Sequence, residues 1–444
     1  MAHGSTHRPL GLASATAAVA GEAIAVGIFL TPAGMARSLG SPFWLLVSWL
    51  VMAAMAMAGA LCFGELAGRL PRAGGQYVFL REAFGSRAAF LFGWMSLLVL
   101  DPGLTAALAV GFGSYAGYVF GWSALATKIA AAAVIAALCA INVLSVRLGA
   151  GFLRWLTWLK LGVLAALPVW ALAFQAGDWS NFEPFVAQRP GSLPLAPALA
   201  GAMIGAFFSF GGWWDMTKIA GEVRNPGRTM PRAMLLGVAL VTVVYILVSA
   251  VFVYLVPMDA VQSDETFVAQ AGEVLFGAAG GVALAAIVAA CVLGSLAAFV
   301  MTAPRVYLAM ARDGLFIERV ARLHPRFDTP VAAIIIQGVL AAILVAVGTF
   351  MQIVSYFLFA AVAFLGLTVA GLFRLRRQAP DDPTTILTPG YPWTPTVFII
   401  LVVAVLALVA FGNPLQAALG TAVVLLGVPV HAVIMRRGKG KATP

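Results

Sequence analysis

Long apolar runs follow one another along almost the whole chain, parted only by short turns. A helix needs about 20 apolar residues to cross the hydrocarbon core of a bilayer. On that scale the sequence predicts twelve spans: Leu12–Met35, Phe43–Leu70, Ala88–Tyr118, Leu125–Leu144, Phe152–Gln175, Ala196–Ile219, Met234–Val256, Val282–Met310, Val331–Phe350, Ile353–Phe373, Thr396–Phe411 and Leu415–Met435. Of 444 residues, 62% are apolar and 10% charged, where a soluble domain carries about 25% charged residues. So few charges cannot cover a water-exposed surface of this size. The chain therefore reads as an all-α integral membrane protein, one polytopic domain over residues 1–444.

The net charge of +10 raises the question of a nucleic-acid surface, and the placement of the positive residues answers it. They fall in short bursts between apolar runs rather than in a stripe. If the N-terminus is cytosolic, all 27 Lys and Arg residues lie in cytosolic segments except Arg37, Lys128, Arg189 and the intramembrane Lys160. Positive loops stay inside, so both termini are expected in the cytoplasm, and the lean loops suit the plasma (inner) membrane of a bacterium. Cys62, Cys139 and Cys291 sit inside apolar runs without His or Cys at metal spacing, which argues against a zinc site or a disulfide framework. No small-residue cleavage site follows the first run, so no removable signal peptide is expected.

Two spans carry patterns that a plain hydrophobic helix does not need. The first holds Gly21-Glu22-Ala23-Ile24-Ala25-Val26-Gly27-Ile28-Phe29, then Thr31-Pro32. The sixth holds Phe207-Phe208-Ser209-Phe210-Gly211-Gly212-Trp213-Trp214-Asp215. Interrupted helices at corresponding positions of two halves point to a transporter's midplane site. Spans one and six match if residues 12–176 and 196–374 are inverted five-helix repeats, with 396–435 added as two further helices. Unwinding leaves backbone N–H groups free at the start of the second half-helix and carbonyls free at the end of the first. A zwitterion fits between such ends without any charged side chain.

These motifs resemble those of amino acid–polyamine–organocation permeases, in particular the L-type amino acid transporter branch. The resemblance rests on Ile24-x-x-Gly27-Ile28-Phe29 with Pro32, on Gly64-Glu65-Leu66-Ala67, and on Ala73-Gly74-Gly75-Gln76-Tyr77. It extends through Phe208-Ser209-Phe210-Gly211-Gly212-Trp213, Glu222-Val223-Arg224-Asn225-Pro226 and Met230-Pro231-Arg232-Ala233 to Arg305-Val306-Tyr307, Ala311-Arg312-Asp313-Gly314 and Thr329-Pro330. It implies a LeuT-like 5+5 inverted repeat of twelve transmembrane helices, with substrate held between broken helices one and six. The substrate site would comprise Ala23, Ile24, Ala25, Val26, Gly27, Ile28, Phe208, Ser209, Gly211, Gly212 and Trp213. The carboxylate would meet the N–H groups of Val26 and Gly27, and the ammonium the carbonyls of Ala23, Phe208 and Gly211. Phe208 would be the gate. Where the family usually has Gly-small-Gly, this chain has Ala25-Val26-Gly27, and the branched Val26 favours a small substrate.

Lys160 lies mid-span in helix five, where a charge is costly and reads as functional. The resemblance implies that it changes protonation during the cycle or braces helix one as a fixed cation. Glu22, Asp101 and Asp215 could each pair with Lys160, carry a transported proton or attract a cationic substrate, and Asp101-Pro102-Gly103 is expected to interrupt helix three. Gly111-x-Gly113-x-x-x-Gly117 reads as close helix packing rather than a dinucleotide loop, because no strand precedes it. His431 receives no role.

The leading reading is thus a secondary transporter of amino acids working by alternating access, either proton-coupled or exchanging one amino acid for another, with no cofactor or metal. One alternative keeps the fold and carries a polyamine or other organic cation. Another, of a different class, is a non-transporting amino acid sensor. The absence of a Walker motif argues against ATP-driven transport. His3, His7, His324 and His431 have no catalytic company, which argues against a membrane enzyme.

Overall fold

In a computed structural model, residues 10–440 are described apart from 25, 73, 145–149, 262–265, 328 and 379–383. Helices follow one another, and the described residues contain no strand beyond one isolated bridge between Leu10 and Val223. Helix α1 (Leu12–Ala23) stops short of α2 (Gly27–Leu30), and Pro32 at the first helical position opens α3 (Pro32–Leu39). Ser41 caps α4 (Pro42–Arg69) by accepting from the Trp44 N–H. After α5 (Gln76–Phe84) and α6 (Ser86–Met95) the third span continues through a π turn, Ser96–Leu100, into α7 (Asp101–Phe120). Helices α8 (Ala124–Val143) and α9 (Ala150–Ala173) complete the first half.

The second half begins with α10 (Leu195–Phe210), which gives way to a 3-10 stretch, Trp213–Glu222. Helices α11 (Pro226–Leu255), α12 (Phe267–Thr302), α13 (Pro304–Arg312) and α14 (Glu318–Ala321) come next. Then follow α15 (Val331–Val347), α16 (Phe350–Gln378), α17 (Trp393–Gly412) and α18 (Pro414–Gly440). Among the described residues, ten helical segments are long and apolar enough to cross a membrane, and Trp158–Ala173 and Val331–Val347 are shorter apolar helices.

Two expectations are corrected. The eighth span does not run unbroken from Val282 to Met310, because Pro304 starts a separate α13 after Thr302. Proline lacks the N–H that would extend α12 and suits a first helical turn. Nor does Asp101-Pro102-Gly103 break helix three. Pro102 cannot donate to the Leu98 carbonyl four residues earlier, but the π turn absorbs the mismatch and the Tyr356 hydroxyl donates to Leu98 instead, at 3.3 Å.

In lipid, helices gain little from hiding apolar surface and associate through close van der Waals contact, which small residues permit. On α4, a Cβ at Gly64 would come within 2.5 Å of the Pro231 Cα, and one at Gly68 within 2.9 Å of the Gly227 Cα. The backbones of α4 and α11 therefore touch. On α7, Gly111 packs on Leu30, and Gly113 and Gly117 on Thr127, the close packing expected of that glycine pattern.

The connections sort onto two ends. Phe43 pairs with Phe185, Arg189 with Gly40 and Asp178 with Tyr254 at one end. At the other, the Leu10 N–H reaches Glu222 O, Gly74 reaches Lys218 and Ile386 reaches Gly227. This second end is the arginine-rich one. There the fully buried Glu65 receives Arg69 Nε at 2.8 Å, Arg376 Nη2 at 2.6 Å and the Thr388 N–H at 2.7 Å. Those contacts fasten the turn after α16 to the end of α4.

Candidate functional site

The two predicted breaks lie against each other. Helix α1 ends at Ala23, and Ile24 leaves helical geometry with ψ 51°. Val26 (φ −137°) precedes α2; Ala25 lies outside the described residues. Ile24, Val26 and Ile28 are all buried. A Cβ at Gly27 would come within 2.3 Å of the Ser209 Cα. Gly27 is thus first a point of backbone contact between the two broken helices. In the second break Gly212 has φ +103°, the left-handed region that glycine tolerates. A Cβ there would meet the Glu22 carbonyl oxygen at 2.7 Å.

Hydroxyl side chains that the sequence reading passed over hold the unwound backbone. The Tyr245 hydroxyl on α11 lies 2.8 Å from the Ala23 carbonyl and 2.7 Å from the Ser209 carbonyl, sharing one proton between the two breaks. Trp49 and Phe210 pack edge-on against the Tyr245 ring. Tyr115 on α7 donates to Phe29 O at 2.6 Å. Thr31 Oγ1 donates to Gly27 O at 3.2 Å and meets Ser209 Oγ at 2.6 Å. A buried hydroxyl without a partner is costly, so a lone Tyr or Thr in an apolar run was the available signal, though not the identity of its partner.

Phe208 is half-buried and lies edge-on to Phe350 and Phe357, with ring centroids 5.4 and 6.2 Å away. Gly211 turns back to donate its N–H to Phe208 O at 3.2 Å. Trp213 opens the 3-10 stretch with its ring packed on α4. It is 3% exposed, edge-on to Phe63, and a Cβ at Gly59 would touch both its ring and that of Phe398. It fills the seam between α4 and α17. An adjoining apolar cavity, lined by Met52, Met55, Phe207, Phe210 and Phe398 among others, contains no residue of α1 or α2.

The ionisable residues separate into distinct partnerships. Lys160 is 6% exposed and its Nζ donates to Gly21 O at 3.3 Å, one turn before the first break. None of the described carboxylates forms an ion pair with it. Asp215 pairs with Lys218 at 2.8 Å, both side chains remaining partly exposed. Asp101 is buried and accepts from the Tyr307 hydroxyl. Glu22 lies within electrostatic reach of Asp215, Lys218 and Lys160. Outside the spans, Asp313 accepts from Arg81 at 2.7 Å and from Tyr77 at 2.9 Å. Burial and that carboxylate push the Tyr77 phenol up to about 12, so it stays a neutral donor.

A bundle of membrane-length helices with two broken segments meeting at its centre is the architecture of a secondary solute transporter. A family model described as amino acid permease matches residues 10–434, and the chain belongs to that family. It is a multi-pass membrane protein and a secondary amino acid transporter, not an enzyme. It is 32% identical over 391 residues to the b(0,+)-type amino acid transporter 1 of Mus musculus, covering 87% of this chain and 79% of that one. It is 28% identical over 422 residues to the cystine/glutamate transporter of Homo sapiens, covering 93% and 82%. With the serine/threonine exchanger SteT of Bacillus subtilis (strain 168) it shares 28% identity over 434 residues, 97% of each chain.

Proposed function

We propose that this permease carries small zwitterionic amino acids by alternating access, with the substrate between the breaks of helices one and six. The observation that carries the reading is the seam at Gly27 and Ser209. It brings the N–H end of α2 beside the carbonyl end of α10, opposite partial charges a short distance apart. The substrate carboxylate meets the N–H groups of Val26 and Gly27. Its ammonium meets the carbonyls of Phe208 and Gly211 and the second lone pair of Ala23 O. Phe208 closes over it. The crowding at Val26 and Gly27 supports a short side chain. Lys160, held on the Gly21 carbonyl, serves as brace for the half-helix before the first break or as proton carrier.

The wider frame of this reading is twelve crossings built as two inverted repeats, 12–176 and 196–374. Both termini are cytosolic, in the plasma membrane. The arginine-rich end described above then faces the cytoplasm.

The organic-cation alternative loses support from the partnerships of two carboxylates. Lys218 neutralises Asp215, and Asp101 is turned onto Tyr307, which leaves Glu22 as a poor match for a dication. The test is thermal unfolding of the purified protein with serine, leucine, phenylalanine, arginine and putrescine, since a ligand of the native state raises its stability. Counterflow of the stabilising compounds in proteoliposomes follows. Stabilisation and flux with serine but not putrescine are expected. Stabilisation by putrescine alone would overturn zwitterion recognition, and counterflow of phenylalanine but not serine would overturn the preference for a small side chain.

A further inference from the structure

Asp101 is a buried carboxylate that the substrate site does not use. It is 6% exposed and forms no ion pair among the described residues. Its hydrogen-bond donor is the Tyr307 hydroxyl, itself fully buried, 206 residues away in the chain. The two belong to separate elements, since Asp101 opens α7 and Tyr307 lies on α13, the short helix that Pro304 sets off from the end of α12. Lys218 and Asp215 reach Asp101 only electrostatically. A buried carboxyl group that loses its partner is left with an unsatisfied polar group, so this bond ties the position of α13 to that of α7.

The backbone around Asp101 supplies a second, independent observation. The π turn Ser96–Leu100 immediately before it exposes the Leu98 carbonyl, and Tyr356 of α16 donates to that oxygen. The next residue on α16, Phe357, lies so close to Gly103 that a Cβ there would sit 2.6 Å from it. The Phe357 ring in turn meets Phe208 edge-on. One turn of α7 therefore touches α13 through Asp101, and touches the aromatic group over the substrate site through Gly103 and Phe357.

We propose that Asp101 and Tyr307 form a positioning pair for the Phe208 gate. With the bond made, α13 is held on α7 and Phe357 backs Phe208. With the bond released in the opposite access state, α13 separates and α16 frees the gate. Neither residue touches substrate; both act through Phe357. The inference rests on the reading of Phe208 as gate.

The experiment is exchange of radiolabelled L-serine and L-leucine in proteoliposomes of the full chain, for the wild type, Tyr307→Phe, Asp101→Asn, the double variant and Phe208→Ala. Tyr307→Phe should lower the maximal rate about tenfold with KM within about twofold, the scale of one hydrogen bond to a charged group lost in one state only. Asp101→Asn keeps an oxygen that accepts the Tyr307 proton and should retain at least about half the rate. The double variant should be no slower than Tyr307→Phe alone, because partners in one bond are not additive. Additive losses, an unchanged rate in Tyr307→Phe, or a loss carried by KM would each overturn the pair. Wild-type exchange in Phe208→Ala would instead overturn the gate reading. Should Tyr307→Phe fail to fold, a tenfold loss in a folded Asp101→Asn would count against the proposal, since its acceptor is intact.

Discussion

The two breaks at the centre of the molecule are built differently. The first is short, with α2 resuming at Gly27. It is clamped on several sides, by the Ser209 backbone, by Tyr245 on Ala23 O and by Tyr115 on Phe29 O. The second opens at Gly212 into ten residues of 3-10 helix, Trp213–Glu222. Its own side chains satisfy part of that backbone, Thr217 donating to Trp214 O at 2.6 Å, while the Asp215–Lys218 pair stays partly in solvent. The second break is held from outside as well, by the Gly74 N–H on Lys218 O, the Leu10 N–H on Glu222 O and Tyr245 on Ser209 O. The first break is thus the more closely packed of the two, and the second the more exposed.

Gly27→Val strikes the more closely packed break hardest. Its branched side chain has no room beside Ser209, so amino acid uptake should vanish and the protein should unfold at a lower temperature. Normal substrate affinity in this variant would contradict a substrate site beside this seam. Lys160→Ala should leave binding measurable but remove uptake driven by a pH gradient, and unchanged gradient-driven uptake would exclude Lys160 from coupling. Tyr245→Phe leaves two carbonyls without their donor and should cost about 1–3 kcal/mol. That cost is readable as earlier thermal unfolding with a raised KM, and an unaltered melting profile would detach Tyr245 from both breaks. The smallest effect is expected from Asp215→Asn. A half-exposed ion pair is worth about 0–1 kcal/mol, so stability should hardly change. A large loss would mean that the second break is as closely held as the first.

The glycine patterns were legible because their message is local. Gly212 needs a left-handed backbone and Gly27 needs room, and either demand is readable from residue type. The motif also placed Phe208 in the last turn of α10, beside the second break. Tyr245, Tyr115 and Thr31 were not legible, because a hydroxyl in an apolar run announces only that it needs a partner. Trp213 belonged to the same motif as Phe208, and the 3-10 turn after Gly212 sets its ring against Phe63 of α4. Asp101 looked like a helix breaker beside Pro102. A π turn and a hydroxyl from α16 removed the need to break.

By itself the sequence determined the membrane class, the order of the apolar helices and the backbone breaks after α1 and α10, though not the one at Gly277 inside α12. Hydropathy, Gly and Pro act over one or two turns and depend little on what lies alongside. Only the tertiary structure decided the partnerships of Ser209 with Thr31, Asp101 with Tyr307, Asp215 with Lys218 and Lys160 with the Gly21 carbonyl. Three of these four join residues more than a hundred positions apart. The fourth was settled by a local 3-10 turn that brings Lys218 onto Asp215. In a low-dielectric interior a buried polar group takes the partner that helix packing places within reach, and that packing is a property of the assembled bundle.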